Sequence, residues 1–562
     1  MQYVDDANAE IKNDGRDRPR HAGSDRPMHI FDGQDPPVAV GRRGLVLGGA
    51  ALLSQLVHGG PAVAQGGSNA KGKFTLAWHT AMAPRWLDPL EHDGAATPDN
   101  FLMALHDALI KNSGTTLYDH AALAESYDFA KDAKSCTFKL RPGTKFHNGD
   151  LVTPEDVKFS YENYRGALSA LLKAKTQGVE IVDRQTVKFH FNEPFLDFLL
   201  LVGSSTVCGA SWVVPAKYYQ QVGPDTFKRR PIGAGPYRLV NQEAGIKLEM
   251  EAFADYYRPV HVKNFTIIAV PEAATRMAMA ERGEADIIYF VPGELLERVK
   301  KNPKMMLAPV LSGTFWLEFP GFQNPKNPFY DKRVREAASL AIDRPALNEA
   351  EFTGLGRNAG NWINDDVQYA LTVPEFKRDV VRAKQLLAEA GYPNGFDVDW
   401  LTPLPVFYAR GERVLSNLQE IGIRSKLQIM ERGAFLQKSR QGLAQWPGTQ
   451  IIMQGARIGG SWANWYDGFF KNGGNNVADR VNVPELDAKF ARYVASIDHD
   501  ERKRLAEEIQ NEILANYYFV PIIRHAFINI IGPRIAAEKW QDVFPTVTSG
   551  YAYPWENIKL KG

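Results

Sequence analysis

Cysteine is the scarcest residue type in this chain, with only Cys136 and Cys208 among 562 residues. Two thiols cannot build a disulfide framework, a thiolate zinc site or an iron–sulfur cluster. One bridge between them and two free thiols both remain open. A charge surplus is missing too: 66 Lys and Arg face 65 Asp and Glu, a formal net charge of +1. No bulk attraction to nucleic acid follows, and no nucleic-acid partner is expected. The apolar stretch Leu45 to Val57 falls short of the roughly 20 residues that span a bilayer, and no later segment reaches that length. Catalytic signatures are lacking as well: no G-x-S-x-G, H-E-x-x-H, C-x-x-C or G-x-G-x-x-G occurs. Gly67-x4-Gly72-Lys73 imitates a phosphate loop, but Phe74 stands where Ser or Thr must hold magnesium. The twelve histidines are scattered without ligand spacing, so no metal or cofactor is expected.

What is present describes a large globular chain. Hydrophobic residues make up 44%, too many for a disordered polymer of this low net charge. Residues 1–40 are polar. Arg42-Arg43 then precede the short apolar stretch, and Ala62-x-Ala64 follows it as a small-x-small cleavage site. That order predicts an export signal over residues 1–64, of twin-arginine type, and a periplasmic protein. Residues 65–71 read as a flexible leader.

Helix signals come next. Thr97-Pro98 and Thr153-Pro154 each place a capping oxygen before a proline at the first helical position, with Asp156 completing a box in the second case. Helices are predicted over 272–282, 380–390, 408–420, Val483–Ile497 and Asp500–Ala515. Strands are predicted at Phe74–His79, Val187–Phe191, Lys247–Phe253, Phe265–Val270, Ala285–Phe290, Lys426–Met430 and Phe519–Ile531. The alternation argues for α/β lobes with mixed sheets. The apolar strand after the last helices implies that the chain returns to an earlier domain.

The stretch 123–159, LAESYDFAKDAKSCTFKLRPGTKFHNGDLVTPEDVKF, resembles the signature region of family 5 solute-binding proteins, the receptors of oligopeptide, dipeptide and nickel ABC importers. Pro231-Ile232-Gly233-Ala234-Gly235-Pro236-Tyr237, ERGEADII ending at Ile288, and Asn327 to Arg335 are similar to family motifs in the family order. So are Ala341-Ile342-Asp343-Arg344, Ala388 to Pro393 and Leu418 to Ile423. The resemblance spans 72–562. It implies a periplasmic-binding-protein-like fold, two lobes joined by a two-segment hinge, with an enlarged first lobe. The expected boundaries are 72–308 plus 522–562 for lobe I and 309–521 for lobe II, with crossovers near Leu307–Gly313 and Val520–Arg524.

The resemblance further implies a monomeric receptor that closes on a peptide-like or other small organic solute and delivers it to an ABC permease and its ATPase, without catalysis. Distant carboxylates can still pair, so an exported α/β hydrolase is the alternative, and a chemosensory receptor on the same fold is a second. Peptide-binding members place an aspartate in a Trp-rich loop of lobe II. Here Ile458 falls near that position beside Arg457, and an arginine there could fork onto a carboxylate or phosphate. Trp462 and Trp465 are candidate stacking walls or core residues, and Asp467 is a substitute carboxylate or a cap. Arg85 and Trp86 occupy a loop resembling the family's cleft-facing loop, and Trp316 lies just past the first crossover.

Overall fold

Local signals explain how the elements are placed. The computed structural model describes residues 70–91, 97–111, 120–166, 168–202, 212–364, 367–405, 407–456, 462–471, 482–545 and 554–562. The export segment with Arg42, Arg43, Ala62 and Ala64, together with Cys208 and Arg457, lies outside the described residues.

The first elements in chain order are β1 (Lys71–Trp78), β2 (Ala124–Phe129), β3 (Ser135–Leu140), α1 (Pro154–Glu162), α2 (Ser169–Lys175), β4 (Thr176–Ile181) and β5 (Thr186–Phe191). β6 (Tyr237–Glu243), β7 (Lys247–Ala252), β8 (Val262–Ala269), β9 (Ile287–Ile288), β10 (Met306–Glu318) and α3 (Arg344–Phe352) follow. The chain closes with β11 (Trp400–Pro403), α4 (Tyr408–Glu420), β12 (Gln450–Ala456), α5 (Pro484–Ala495), α6 (His499–Ala515) and β13 (Phe519–Ile531).

Thr153 caps α1 as expected: its side chain accepts from the Asp156 amide while the Asp156 carboxylate accepts from the Thr153 amide. In β3, Cys136, Phe138 and Leu140 alternate inward and are buried. They form one face of an antiparallel sheet of order β2-β3-β5-β4. Cys136 is a free, buried thiol. The glycine motif beyond it is dictated by close approach. A Cβ on Gly233 would lie 2.0 Å from the Leu105 carbonyl oxygen, and one on Gly235 would lie 2.5 Å from the Leu105 carbonyl carbon. His147 closes this junction, with Nε2 3.0 Å from the Gly235 carbonyl and the Gly233 amide donating to Nδ1.

The other large sheet runs β11-β12-β10-β13-β9-β1-β8-β7-β6. β1 is parallel to both β8 and β9, and β11 is parallel to β12. β10 and β13, 13 residues each, pair antiparallel from Met306↔Ile531 to Glu318↔Phe519, with register shifts at Leu311/Thr314 and Phe315/Trp316, and carry the sheet from one half to the other. The C-terminal segment returns to the first half of the chain. Trp555 packs on Phe265, and the buried Lys111 donates to Glu556 at 3.1 Å and to the Tyr256 hydroxyl at 2.6 Å.

Two strand expectations are corrected. Ala285–Phe290 shortens to Ile287–Ile288, because Phe290 turns out of the sheet at φ 58 and the Tyr289 and Phe290 carbonyls are taken by Arg276. Lys426–Met430 forms no strand; Leu427 makes a single bridge to Leu401 on the sheet edge, and Ile429 faces solvent. Helix 408–420 and strand 519–531 form with the expected bounds.

Candidate functional site

Strand directions converge on one place. β1, β8 and β9 run toward the middle of β13, where the Val291 amide bonds the Ile528 carbonyl. β11 and β12 run from the opposite side, and Ala456, the last residue of β12, pairs with Thr314 in the middle of β10. In open α/β sheets the crevice outside the carboxyl ends of parallel strands is where ligands are held. Here two sets of such ends face each other across the two long strands.

The side chains at this junction form a ring-on-ring chain. His79 stacks on Phe290 at 5.3 Å, and Phe290 stacks on His525 at 5.8 Å. His525 also meets Phe315, Phe352, Phe407 and Phe527. Arg410, in the first turn of α4, sits inside this aromatic wall with its guanidinium 4.2 Å from the Phe315 ring centre. It pairs with both oxygens of Glu351 and donates from Nη2 to His525 Nδ1 at 3.2 Å. An arginine only donates, so that imidazole carries its proton on Nε2. Burial, aided by the Arg410 charge, holds the His525 pKa well below its ordinary value, and the ring is neutral at pH 7. Arg410 Nη1 is buried and has no hydrogen-bond partner among the described residues. Arg276 frames the first-half strand ends, donating to the carbonyls of Val270, Pro271, Tyr289 and Phe290. Burial lowers its pKa to about 10.

A cavity of about 190 Å³ opens where the first half meets the second. From the first half, α2 and residues 193–197 line it with Lys175, Phe195 and Asp197. From the second, Asp467, Phe490 and Arg502 face them. One ion pair crosses beside it: Arg502 Nη2 reaches Asp197 at 3.1 Å, and both side chains are largely buried. The Tyr493 hydroxyl, the Tyr493 carbonyl and the Ser496 carbonyl accept from the same guanidinium, which lies over the Tyr493 ring.

The residues named from the sequence divide between these places. Trp316 is fully buried, donates to Glu318 at 2.8 Å and packs edge-on against Trp465. Trp465 stacks on Trp362 at 3.7 Å, so its ring lies within an aromatic block that includes Phe519. Trp462, three residues earlier, turns to Phe490 and Tyr493 instead. Asp467 lines the cavity from the π-turn Tyr466–Phe470 and pairs with Lys471 at 3.1 Å. Trp86 is half-buried and stacks on Phe101, which in turn meets Trp78 beside His79. Arg85 occupies a 3-10 turn, Pro84–Leu87. Trp362, Glu351, Arg410, His525, Asp197 and Arg502 were missed. Their partners lie 59 to 305 residues away, and only the proximity of Tyr408–Arg410 to a strand end could have signalled one of them. Among the described residues no three His, Cys, Asp or Glu side chains gather as metal ligands, and no helix is long and apolar enough to cross a membrane.

Comparison with known proteins gives this geometry a setting. Residues 120–475 match the family described as bacterial extracellular solute-binding proteins, family 5. The chain is 26% identical over 516 residues to heme-binding protein A of Haemophilus influenzae, covering 86% of this chain and 93% of that one. It is 26% identical over 411 residues to the glutathione-binding protein GsiB of Pectobacterium atrosepticum, covering 70% and 78%. Among solved structures, the binding protein MoaA of A. tumefaciens R10 in complex with mannopinic acid superposes with a TM-score of 0.72 at 23% identity, over 88% of this chain and all of that one. That likeness establishes the periplasmic-binding-protein fold.

Proposed function

The chain belongs to the family 5 bacterial extracellular solute-binding proteins, whose members serve ABC importers, and from that premise we propose that it captures a peptide-like or other small organic solute between its two halves. The observation that carries the proposal is the convergence of five parallel strand ends, from β1, β8 and β9 on one side and β11 and β12 on the other, on the middle of β10 and β13. Residues 72–308 plus 522–562 form lobe I and 309–521 form lobe II. The chain crosses between them near Leu307–Gly313 and Val520–Arg524, and the register of the β10–β13 pair shifts at Leu311/Thr314 and at Phe315/Trp316, within or beside these stretches. Solute touching both lobes binds the closed arrangement better and draws the equilibrium toward it by that difference alone.

Under this reading the closed receptor docks as a monomer on a permease, and no bond is made or broken in the solute. Export over residues 1–64 by the twin-arginine route delivers it to the periplasm. Ligand contacts are assigned to Arg85, Trp86, Arg457 and Asp467. Of these, Asp467 has the support of lining the cavity. Trp316, Trp462 and Trp465 are instead fully buried against other aromatic rings and act by backing the cavity wall rather than by touching solute.

A thermal-shift panel of glutathione, short peptides and sugar–amino acid conjugates tests the reading. A true solute at 100 times its Kd stabilises the protein by about 2.7 kcal/mol. Arg457→Ala then weakens an anionic solute by about 1.5–3 kcal/mol. Turnover of the panel compounds without stabilisation would favour the hydrolase instead.

A further inference from the structure

The junction of β10 and β13 carries a device that neither strand needs for pairing. Between Leu311↔Ala526 and Thr314↔Arg524, β10 advances three residues while β13 advances two. The extra residue leaves Ser312 and Gly313 outside the ladder, as in a β-bulge. The buried Ser312 carbonyl must find other donors. It finds two side chains: Asn364 Nδ2 at 3.0 Å and Arg524 Nε at 3.1 Å. Asn364 is itself held by the Thr314 hydroxyl, which donates to its Oδ1 at 3.0 Å. Asn364, Arg524, Ser312 and Thr314 are all buried. On the second-half side, β13 is also braced by Arg357 and Asn358, which pair with Arg524 and Ile523, and that bracing ends where the register shifts.

We propose that Asn364 and Arg524 are positioning residues for solute capture: by clamping the Ser312 carbonyl they fix the bulge about which the lobes turn, and so set the balance between open and closed forms. The inference rests on the two-lobe reading above. Regular pairing resumes below Leu311↔Ala526 and above Trp316↔Pro521, with a second register shift between Phe315↔Ile523 and Trp316↔Pro521, so under this proposal the turning is taken up between these pairs, with the Ser312 bulge at its centre. A side-chain clamp can let go of a carbonyl without breaking the sheet. The clamp and the Asp197–Arg502 pair across the cavity occur in one arrangement, and the clamp is proposed to favour this form over the open one. Asn364→Ala removes one donor from Ser312 and strands the Thr314 hydroxyl, which shifts the ratio toward the open form about five-fold. Asn364→Asp keeps the acceptor for Thr314, loses the donor, and shifts it the same way.

The test needs no identified solute. The full chain is stripped by unfolding and refolding, then spin-labelled at Val240→Cys and Val381→Cys, both exposed, in a Cys208→Ser background. Pulsed electron resonance reads the distance distribution between the labels. Expected are two distances in the parent protein and a roughly five-fold gain of the longer one in both Asn364 variants. Equal ratios in parent and variants overturn the clamp while leaving the two-lobe reading intact. A single distance in the parent, unchanged by stripping, overturns both. If Asn364→Ala does not fold, Thr314→Val removes the hydroxyl that orients Asn364. A smaller shift in the same direction supports the clamp, and an unchanged ratio overturns it.

Discussion

Asp197→Ala breaks the ion pair that joins residues 193–197 to α6, and its cost can be worked from the geometry. At 3.1 Å the pair attracts by roughly 5 kcal/mol in an effective dielectric near 20, before desolvation is counted. Breaking a buried pair from one side costs about 3–5 kcal/mol when the remaining charge is left alone. Arg502 is not left alone: the Tyr493 hydroxyl and carbonyl, the Ser496 carbonyl and the Tyr493 ring still hold it. The expected loss is therefore about 1–3 kcal/mol. Urea unfolding of Asp197→Ala, Arg502→Met and the double variant isolates the pairwise part in a mutant cycle. Because the partners come from opposite sides of the cavity, losing the pair should also lower solute affinity. Single-variant losses that add within about 0.5 kcal/mol would refute the reasoning, since the pair would then contribute only as two independent side chains.

Arg276→Met should destabilise the protein by more than about 3 kcal/mol in the same assay, because four carbonyls at the strand ends lose their donor; a loss under 1 kcal/mol would show that water replaces it freely. Stability should fall as pH drops from about 6.5 toward 4. Burial lowers the pKa of His79 and of His147 to about 4 and that of His106 to about 3, so the unfolded chain binds protons that the native one refuses. Each contributes about 2 kcal/mol of loss by pH 5, and a urea midpoint unchanged between pH 7 and pH 5 would contradict this. Cys136, buried and with its thiol pushed well above the ordinary value by burial, should resist thiol reagents in the native Cys208→Ser protein and react on unfolding; rapid native labelling would place it at the surface.

Local chemistry was legible where it is self-contained. The Thr153–Asp156 box, the bounds of α4 and the apolar run of β13 each rest on residues a few positions apart. Ala285–Phe290 has the same apolar look, but a distant guanidinium, Arg276, decides where its strand ends. The site divides in the same way. Tryptophans 316, 462 and 465 are conspicuous in the sequence, yet their burial depends on Trp362, Phe490 and Phe519, which no spacing links to them. The Arg410–Glu351–His525 group and the Asp197–Arg502 pair are joined only by folding, across separations that a pattern of neighbours does not encode. The crossover shows the limit most clearly. The expected stretch Leu307–Gly313 includes Ser312 and Gly313 of the bulge, but the bulge itself depends on which residues of β13 lie opposite, and its clamp on Asn364 arriving from a third segment.

The central claim, solute capture by closure of two lobes, is tested most directly by small-angle X-ray scattering on the protein stripped of solute and again after addition of the compound that native mass spectrometry finds retained before stripping. The account predicts one retained small molecule and a fall in the radius of gyration when it is restored at saturating concentration. No retained compound, together with a scattering profile that stripping does not change, would contradict it.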